Sequence, residues 1–200
     1  MRRLLYFSVA IAGILILYAI SFISQPAEIE LNDLWKYDGE KVIVKGTVKN
    51  KIGNVLEISD GKGRCKVYYE NNDNIDYGDE IVVLGIVGEY KDEFAVYADE
   101  IKICRKWEEE NVSLPYLLEN YEDFINTNVN VSGYIYSTCK NYFYLTDEFI
   151  EYRIKVYYND SLLFNKFDRV CVKAFFYYDS KNACFLLKIK DEIHGVIKNE

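Results

Sequence analysis

The chain has 200 residues, half of them hydrophobic, with 19 Tyr, 11 Phe, two Pro and a formal net charge of −8. That length suits two small domains of about 75–85 residues each, and the aromatic-rich, Pro-poor composition favours strands. The acidic balance weighs against a broad nucleic-acid footprint, which needs a basic face. One His and five Cys without a C-x-x-C exclude a zinc constellation.

Residues 1–24 read as a separate object. Leu4 to Ile23 carries no charge, and 20 apolar residues are about what a helix needs to cross a bilayer. Arg2 and Arg3 precede the span, while Glu28, Glu30 and Asp33 follow it. The positive-inside bias puts the N-terminus in the cytoplasm and residues 25–200 outside. A cleaved signal peptide fits less well. The span exceeds an h-region of about 7–15 residues, and Ala19-Ile20-Ser21 is a poor cleavage site. The expectation is a single-pass cell-membrane protein with the lipid bilayer as partner of residues 4–23. Acceptor patterns for N-glycosylation at Asn111, Asn130 and Asn159 add faint support for an outside location.

Leu31, Leu34 and Trp35 form a short lead-in. Val42, Val44, Gly46 and Val48 then alternate with polar or outward residues, the period of a strand with one buried face. Leu56 and Ile58 mark a second strand. Cys65, Val67 and Tyr69 mark a third, Ile81, Val83 and Gly85 a fourth, and Phe94, Val96 and Ala98 a fifth. A charged linker follows over 105–113. Pro115 to Phe124 is a second lead-in, with Leu117, Leu118 and Tyr121 at helical spacing.

The strand pattern then recurs. Val129, Val131, Gly133 and Ile135 are followed by Phe143 and Leu145, then Ile154, Val156 and Tyr158, then Val170, Val172 and Ala174, then Phe185 and Leu187. Lys-Val-Tyr-Tyr stands at both 66–69 and 155–158. Fourteen positions separate Gly46 from Asp60, and fourteen separate Gly133 from Asp147. One unit is used twice, with boundaries at 28–104 and 114–195. Mid-strand Gly marks sharp bends such as barrel corners. Five strands with bent first and fourth members suggest a small Greek-key barrel. The expected fold class is all-β, two tandem five-stranded barrels behind one transmembrane helix.

The first copy resembles the OB-fold domains of tRNA-anticodon-binding and single-strand-binding proteins. The matching residues are Asp38-Gly39-Glu40-Lys41-Val42-x-Val44-x-Gly46-x-Val48, Leu56-x-Ile58-x-Asp60-Gly61-x-Gly63 and Gly78-Asp79-x-Ile81-x-Val83-x-Gly85. The second copy keeps Val-x-Val-x-Gly and Asp147 but lacks the Gly before Asp168. The resemblance implies the fold, because its motif residues are structural. The anchor and barrel are also similar to the haem chaperones of cytochrome c maturation. Cys104 lies near their reactive position, without the Tyr that follows it there. His194 stands at the end of the second copy, and a second barrel is foreign to that family.

In an OB barrel the ligand face is the outside of strands two and three. In the second copy this places Tyr142, Tyr144, Arg153, Lys155 and Tyr157 outward, with Tyr134 and Tyr136 extending the face. Rings beside cations stack bases or sugars and pair with phosphates. Outward Tyr equally packs on a partner protein. The first copy offers Val55, Glu57, Arg64, Lys66 and Tyr68, a less aromatic face. Cys65 and Cys104 are the candidate disulfide, since strands three and five close such a barrel. Asp79-Glu80 and Asp99-Glu100 read as solvated caps. No Gly-rich phosphate loop, nucleophile elbow or triad is present, so neither catalysis nor a cofactor is expected. The main expectation is a membrane-anchored binding or scaffolding protein for a protein or an oligomeric polar ligand. A membrane-tethered single-strand nucleic-acid binder is the alternative, against which the net charge counts. A haem-chaperone-like role is a minor one.

Overall fold

The computed structural model of the protein describes residues 6, 11–18, 25–70, 74–91, 93–158, 164–190 and 192–198. Tyr6 and α1 (residues 11–18) are helical and exposed. No helix among the described residues is long and apolar enough to cross a membrane. The span expected over residues 4–23 lies largely outside the described residues.

The first sheet holds β1 (Ala27–Glu28), β2 (Lys41–Ile52), β3 (Val55–Ser59), β4 (Arg64–Tyr68), β5 (Glu80–Tyr90) and β6 (Glu93–Arg105). Its order is β1-β2-β3-β4-β6-β5, and β5 pairs back onto β2. β2 to β6 thus close a five-stranded Greek-key barrel, the OB fold. One long first strand serves two neighbours. Lys41–Thr47 pairs with β5 and Thr47–Ile52 with β3. Gly46 sits at the bend between them, where a Cβ would stand 3.0 Å from the Ser59 carbonyl oxygen. The alternation read from the sequence sends Val42, Val44, Val48, Leu56, Ile58, Val67, Ile81 and Val83 into the core. A 3-10 helix, Leu31–Tyr37, adds Leu31 and Leu34 to that core.

The second sheet holds β7 (Asn111–Ser113), β8 (Thr127–Thr138), β9 (Tyr142–Thr146), β10 (Arg153–Tyr157), β11 (Arg169–Asp179), β12 (Cys184–Lys188) and β13 (Gly195–Lys198). β8, β9, β10, β12 and β11 follow one another in its order, and β11 pairs with β8. Gly133 repeats the role of Gly46, with a Cβ there 2.8 Å from the Thr146 carbonyl oxygen. The copies differ in the fifth strand. β6 runs unbroken along β5 to Arg105, whereas its counterpart is split into β12 and a separate β13 on β11.

The segment read as a charged linker is packed. It contains a short 3-10 turn, Trp107–Glu109, with Trp107 buried, and then β7, which pairs with β8. α2 (Leu114–Glu119) and α3 (Tyr121–Phe124) follow. The Ser113 hydroxyl caps α2 through the Tyr116 N–H, and Leu114 and Leu117 enter the second core.

The copies are docked on each other around Trp107. Its ring meets His194 edge-on at 5.8 Å. The Lys173 ammonium pairs with Glu108 at 2.6 Å, and the Asn130 amide donates to the Glu108 carbonyl at 2.9 Å. The Asn128 N–H donates to the Tyr77 carbonyl at 3.3 Å. Gly78 (φ +94°) makes that approach feasible, since a Cβ there would stand 2.7 Å from the Asn128 carbonyl oxygen.

Candidate functional site

β9 and β10 pair antiparallel, with Tyr142 opposite Tyr157 and Tyr144 opposite Lys155. Phe143, Leu145, Ile154 and Val156 are buried beneath them. The five outward residues form a connected plate. Tyr142 meets Tyr144 edge-on at 5.7 Å and Tyr157 at 6.3 Å. The Lys155 ammonium lies 4.0 Å from the Tyr142 ring centroid and 4.7 Å from that of Tyr157. It also donates to the Tyr157 hydroxyl at 3.2 Å, a bond that holds Lys155 above the usual lysine range. The Arg153 guanidinium stacks on Tyr136 at 3.7 Å, and Lys166 reaches the same ring at 5.2 Å. Tyr136 thereby joins the plate. Tyr134, opposite Arg169 on β11 and Thr146 on β9, makes no ring contact with the plate among the described residues.

The charge state of this plate separates the two copies. Among the described residues, no carboxylate lies within ion-pair distance of Arg153 or Lys155. On the first copy's face Lys66 is paired with Glu93, and Arg64 with Glu57 at 3.3 Å. Tyr68 does not stand alone there. It stacks on Tyr97 at 5.2 Å and 16° and meets Tyr90 at 5.7 Å. Sequence reading had missed both partners. The alternation that sends Val96 inward already turns Tyr97 out, whereas Tyr90 comes near only because β5 and β6 form a hairpin.

Several expected roles move. Cys65 and Cys104 are free thiols, one buried and one exposed. β4 meets β6 at Lys66–Tyr68 against Ala95–Tyr97, so Cys104 lies far along β6 beside β5, out of reach of Cys65. Burial pushes the Cys65 thiol up to about 12. His194 is engaged at both ring nitrogens. Nδ1 accepts from the Lys190 N–H at 3.1 Å, and Nε2 meets Asn128 Oδ1 at 3.1 Å. Both partners belong to the second copy, and the ring meets Trp107 of the connecting segment, so the imidazole offers no open nitrogen to a haem. Asn130 is buried and so is not presented as a glycosylation acceptor, whereas Asn111 is exposed, its amide donating to Cys171 Sγ at 2.9 Å. Asn159 lies outside the described residues.

Asp79 is no solvated cap. It is fully buried and takes the Asp76 N–H at 2.9 Å, the Trp107 N–H at 3.1 Å and the Lys106 ammonium at 2.8 Å. Its counterpart Asp168 takes the Asn165 N–H at 2.9 Å and Lys198 at 3.1 Å. Phe167 adopts φ +68° in place of the missing Gly. Asp60 and Asp147 are turn residues too. Asp60 accepts from Leu31, Lys62 and Gly63. Burial raises its carboxyl, and these backbone bonds outweigh that, leaving it below the usual range.

No family model and no curated protein matches the chain. Solved structures do. U. maydis replication protein A bound to ssDNA is 20% identical over 48% of this chain and 85% of its own, with a TM-score of 0.37. The S. pombe Stn1-Ten1 complex is 17% identical over 40% and 77%, with a TM-score of 0.34. The Ifi202 HINa domain in complex with 20-bp dsDNA is 12% identical over 80% and 96%, with a TM-score of 0.34. At these identities and scores the likeness concerns the fold alone.

Proposed function

We propose that the protein is a non-catalytic binding protein whose second copy, read as a second OB barrel, holds a single-stranded nucleic acid across β9 and β10. One observation carries this reading: Arg153 and Lys155 stand on tyrosine rings and, among the described residues, have no carboxylate partner. Such a plate stacks successive bases and meets the backbone with free charge, and stacking is worth about 1–3 kcal/mol per base. Residues 4–23 supply a membrane tether, with the barrels on the extracytoplasmic side as the flanking charges direct. A labelled oligothymidylate titrated into the protein tests the reading. Two or three phosphate contacts give a slope of log K against log salt of about −2. Absence of binding at low salt refutes it.

The net charge of −8 supports a second reading, in which the same plate seats a partner protein. Tyr and Arg are the residues that anchor protein interfaces. In that case Tyr142→Ala abolishes partner capture while the oligothymidylate never binds.

A further inference from the structure

Among the described residues, β4 and β6, which close the barrel of the first copy, pair along only part of β6. β4 ladders onto β6 only at Lys66–Tyr68 against Ala95–Tyr97. Beyond Tyr97 the described ladder partners of β6 lie on its other side, in β5. That edge, residues 98–103, unpaired on this side among the described residues, borders a trough of about 790 Å³. The stacked rings of Tyr68 and Tyr97 stand at one end. Glu70, Asp99 and Glu100 rim it, Ile101 lines its floor, and none of its lining residues is basic. Asp99 has an exposed partner, Lys41, at 2.7 Å. Among the described residues no acidic group is focused enough to hold a metal ion. Spread carboxylates beside an open edge suit an extended chain of cations.

Charge distribution over the sequence points the same way. Residues 28–104 carry 10 Lys and Arg against 17 Asp and Glu, a net −7, whereas 114–195 carry 9 against 11, a net −2. The first copy is the acidic one, and its trough lies away from the β9–β10 plate.

We infer that this trough is a docking site for a basic peptide segment of a partner protein, added as a strand to β6. An exposed edge offers main-chain hydrogen bonds to an incoming extended peptide. Guanidinium groups pair with carboxylates in charge-assisted bonds and stack on tyrosine faces. The methylene stems of Lys and Arg cover apolar floor while their heads reach the rim. A single-stranded polyanion is repelled from the same trough.

The test uses the full-length protein in detergent micelles and a fluorescent octapeptide of alternating Arg and Leu, read by anisotropy. Glu70→Lys with Glu100→Lys is expected to weaken binding at least tenfold. Tyr97→Leu, which leaves the charge unchanged, is expected to weaken it several-fold. Glu148→Lys with Glu151→Lys on the second copy makes the same charge change and is expected to stay within twofold. If that control weakens binding as much as the trough variant, attraction is due to net charge and the site is refuted. Methylation of alternate peptide amides is expected to cost tenfold or more, and unchanged affinity refutes strand addition. Far-ultraviolet circular dichroism confirms that each variant is folded. Oligothymidylate binding by the trough variants separates this site from the plate, since it is expected to be undiminished.

Discussion

The Trp107 N–H donates to the Asp79 carboxylate at 3.1 Å, and through that bond the first copy grips the segment that leads into the second. Asp79 closes its own turn through Asp76 N–H and pairs with Lys106. Removing one member of a buried pair costs about 3–5 kcal/mol. Lys106 is a quarter exposed and can rehydrate, which places Asp79→Ala at the lower end, about 3 kcal/mol by urea unfolding. Asp168→Ala removes the corresponding turn bond from a more exposed site and is expected to cost about 1 kcal/mol.

The β9–β10 plate predicts a separation of binding from stability. Tyr142 and Lys155 are only partly buried, so Tyr142→Ala and Lys155→Ala leave the melting temperature nearly unchanged. Each is expected to weaken oligothymidylate binding about tenfold, in line with about 1–3 kcal/mol per stacked base. Lys155→Ala alone also flattens the salt dependence by about 0.7. Lys66→Ala on the first copy, whose charge Glu93 already neutralises, has little effect on either measure.

How much of this was legible in the sequence depends on what each residue answers to. Strand alternation responds to burial, so Val42, Val44, Leu56, Ile58 and their repeats could be assigned inward from spacing alone. Doubled spacings from Gly46 to Asp60 and from Gly133 to Asp147 exposed the duplication, because both Asp residues close the same turn. The docking of the copies was illegible. Nothing in the pattern Asp79-Glu80 distinguishes a solvated cap from a carboxylate buried under a neighbouring segment. The pairing of Lys66 and Arg64 with acids was equally hidden, since it depends on which side chains meet across strands. That pairing separates the two faces more sharply than their aromatic content.

The split fifth strand explains a residue difference between the copies. A Cβ on Gly85 would stand 2.3 Å from the Tyr97 carbonyl oxygen and 2.9 Å from Ala98 Cα, because β6 continues past it. The second copy has Ala174 at this place, and β12 pairs with β11 only from Phe175 onward, leaving room for the methyl. Gly85→Ala is expected to destabilise by about 3 kcal/mol, the upper range for overpacking. Ala174→Gly costs less, about 1 kcal/mol of strand entropy and about 0.8 kcal/mol for the lost buried methyl. Thermal unfolding of the pair checks the asymmetry, and equal effects would contradict it.

Thiol reactivity follows burial. Cys104 and Cys139 are exposed, while Cys65 and Cys171 are buried. A maleimide at neutral pH is expected to add to Cys104 and Cys139 first. Cys65, its thiol pushed up to about 12, reacts only on unfolding. Intact mass with and without denaturant gives the count, and resistance of Cys104 in the folded protein would signal that it is bonded after all.

Lys49 sets a pH dependence. Its ammonium lies against the Asp123 carbonyl oxygen in the cleft between the copies, and burial lowers it from 10.5 to about 8, against the pull of Asp123. A lysine that releases its proton more readily when folded leaves the unfolded chain holding more protons between those values. Stability from this group therefore rises as pH climbs from about 8 to 10.5 and is lowest below 8. Tyrosine ionisation acts in the opposite direction at the top of the range, so the comparison must be with a variant rather than with the wild type alone. Lys49→Met removes the charge and keeps the stem. It is expected to exceed the wild type in stability at pH 7, with the advantage shrinking as pH passes 8 and nearly gone by about 10.5. Parallel stability curves for the two proteins across that window would show that the Lys49 ammonium is well solvated and that the cleft does not disfavour its charge.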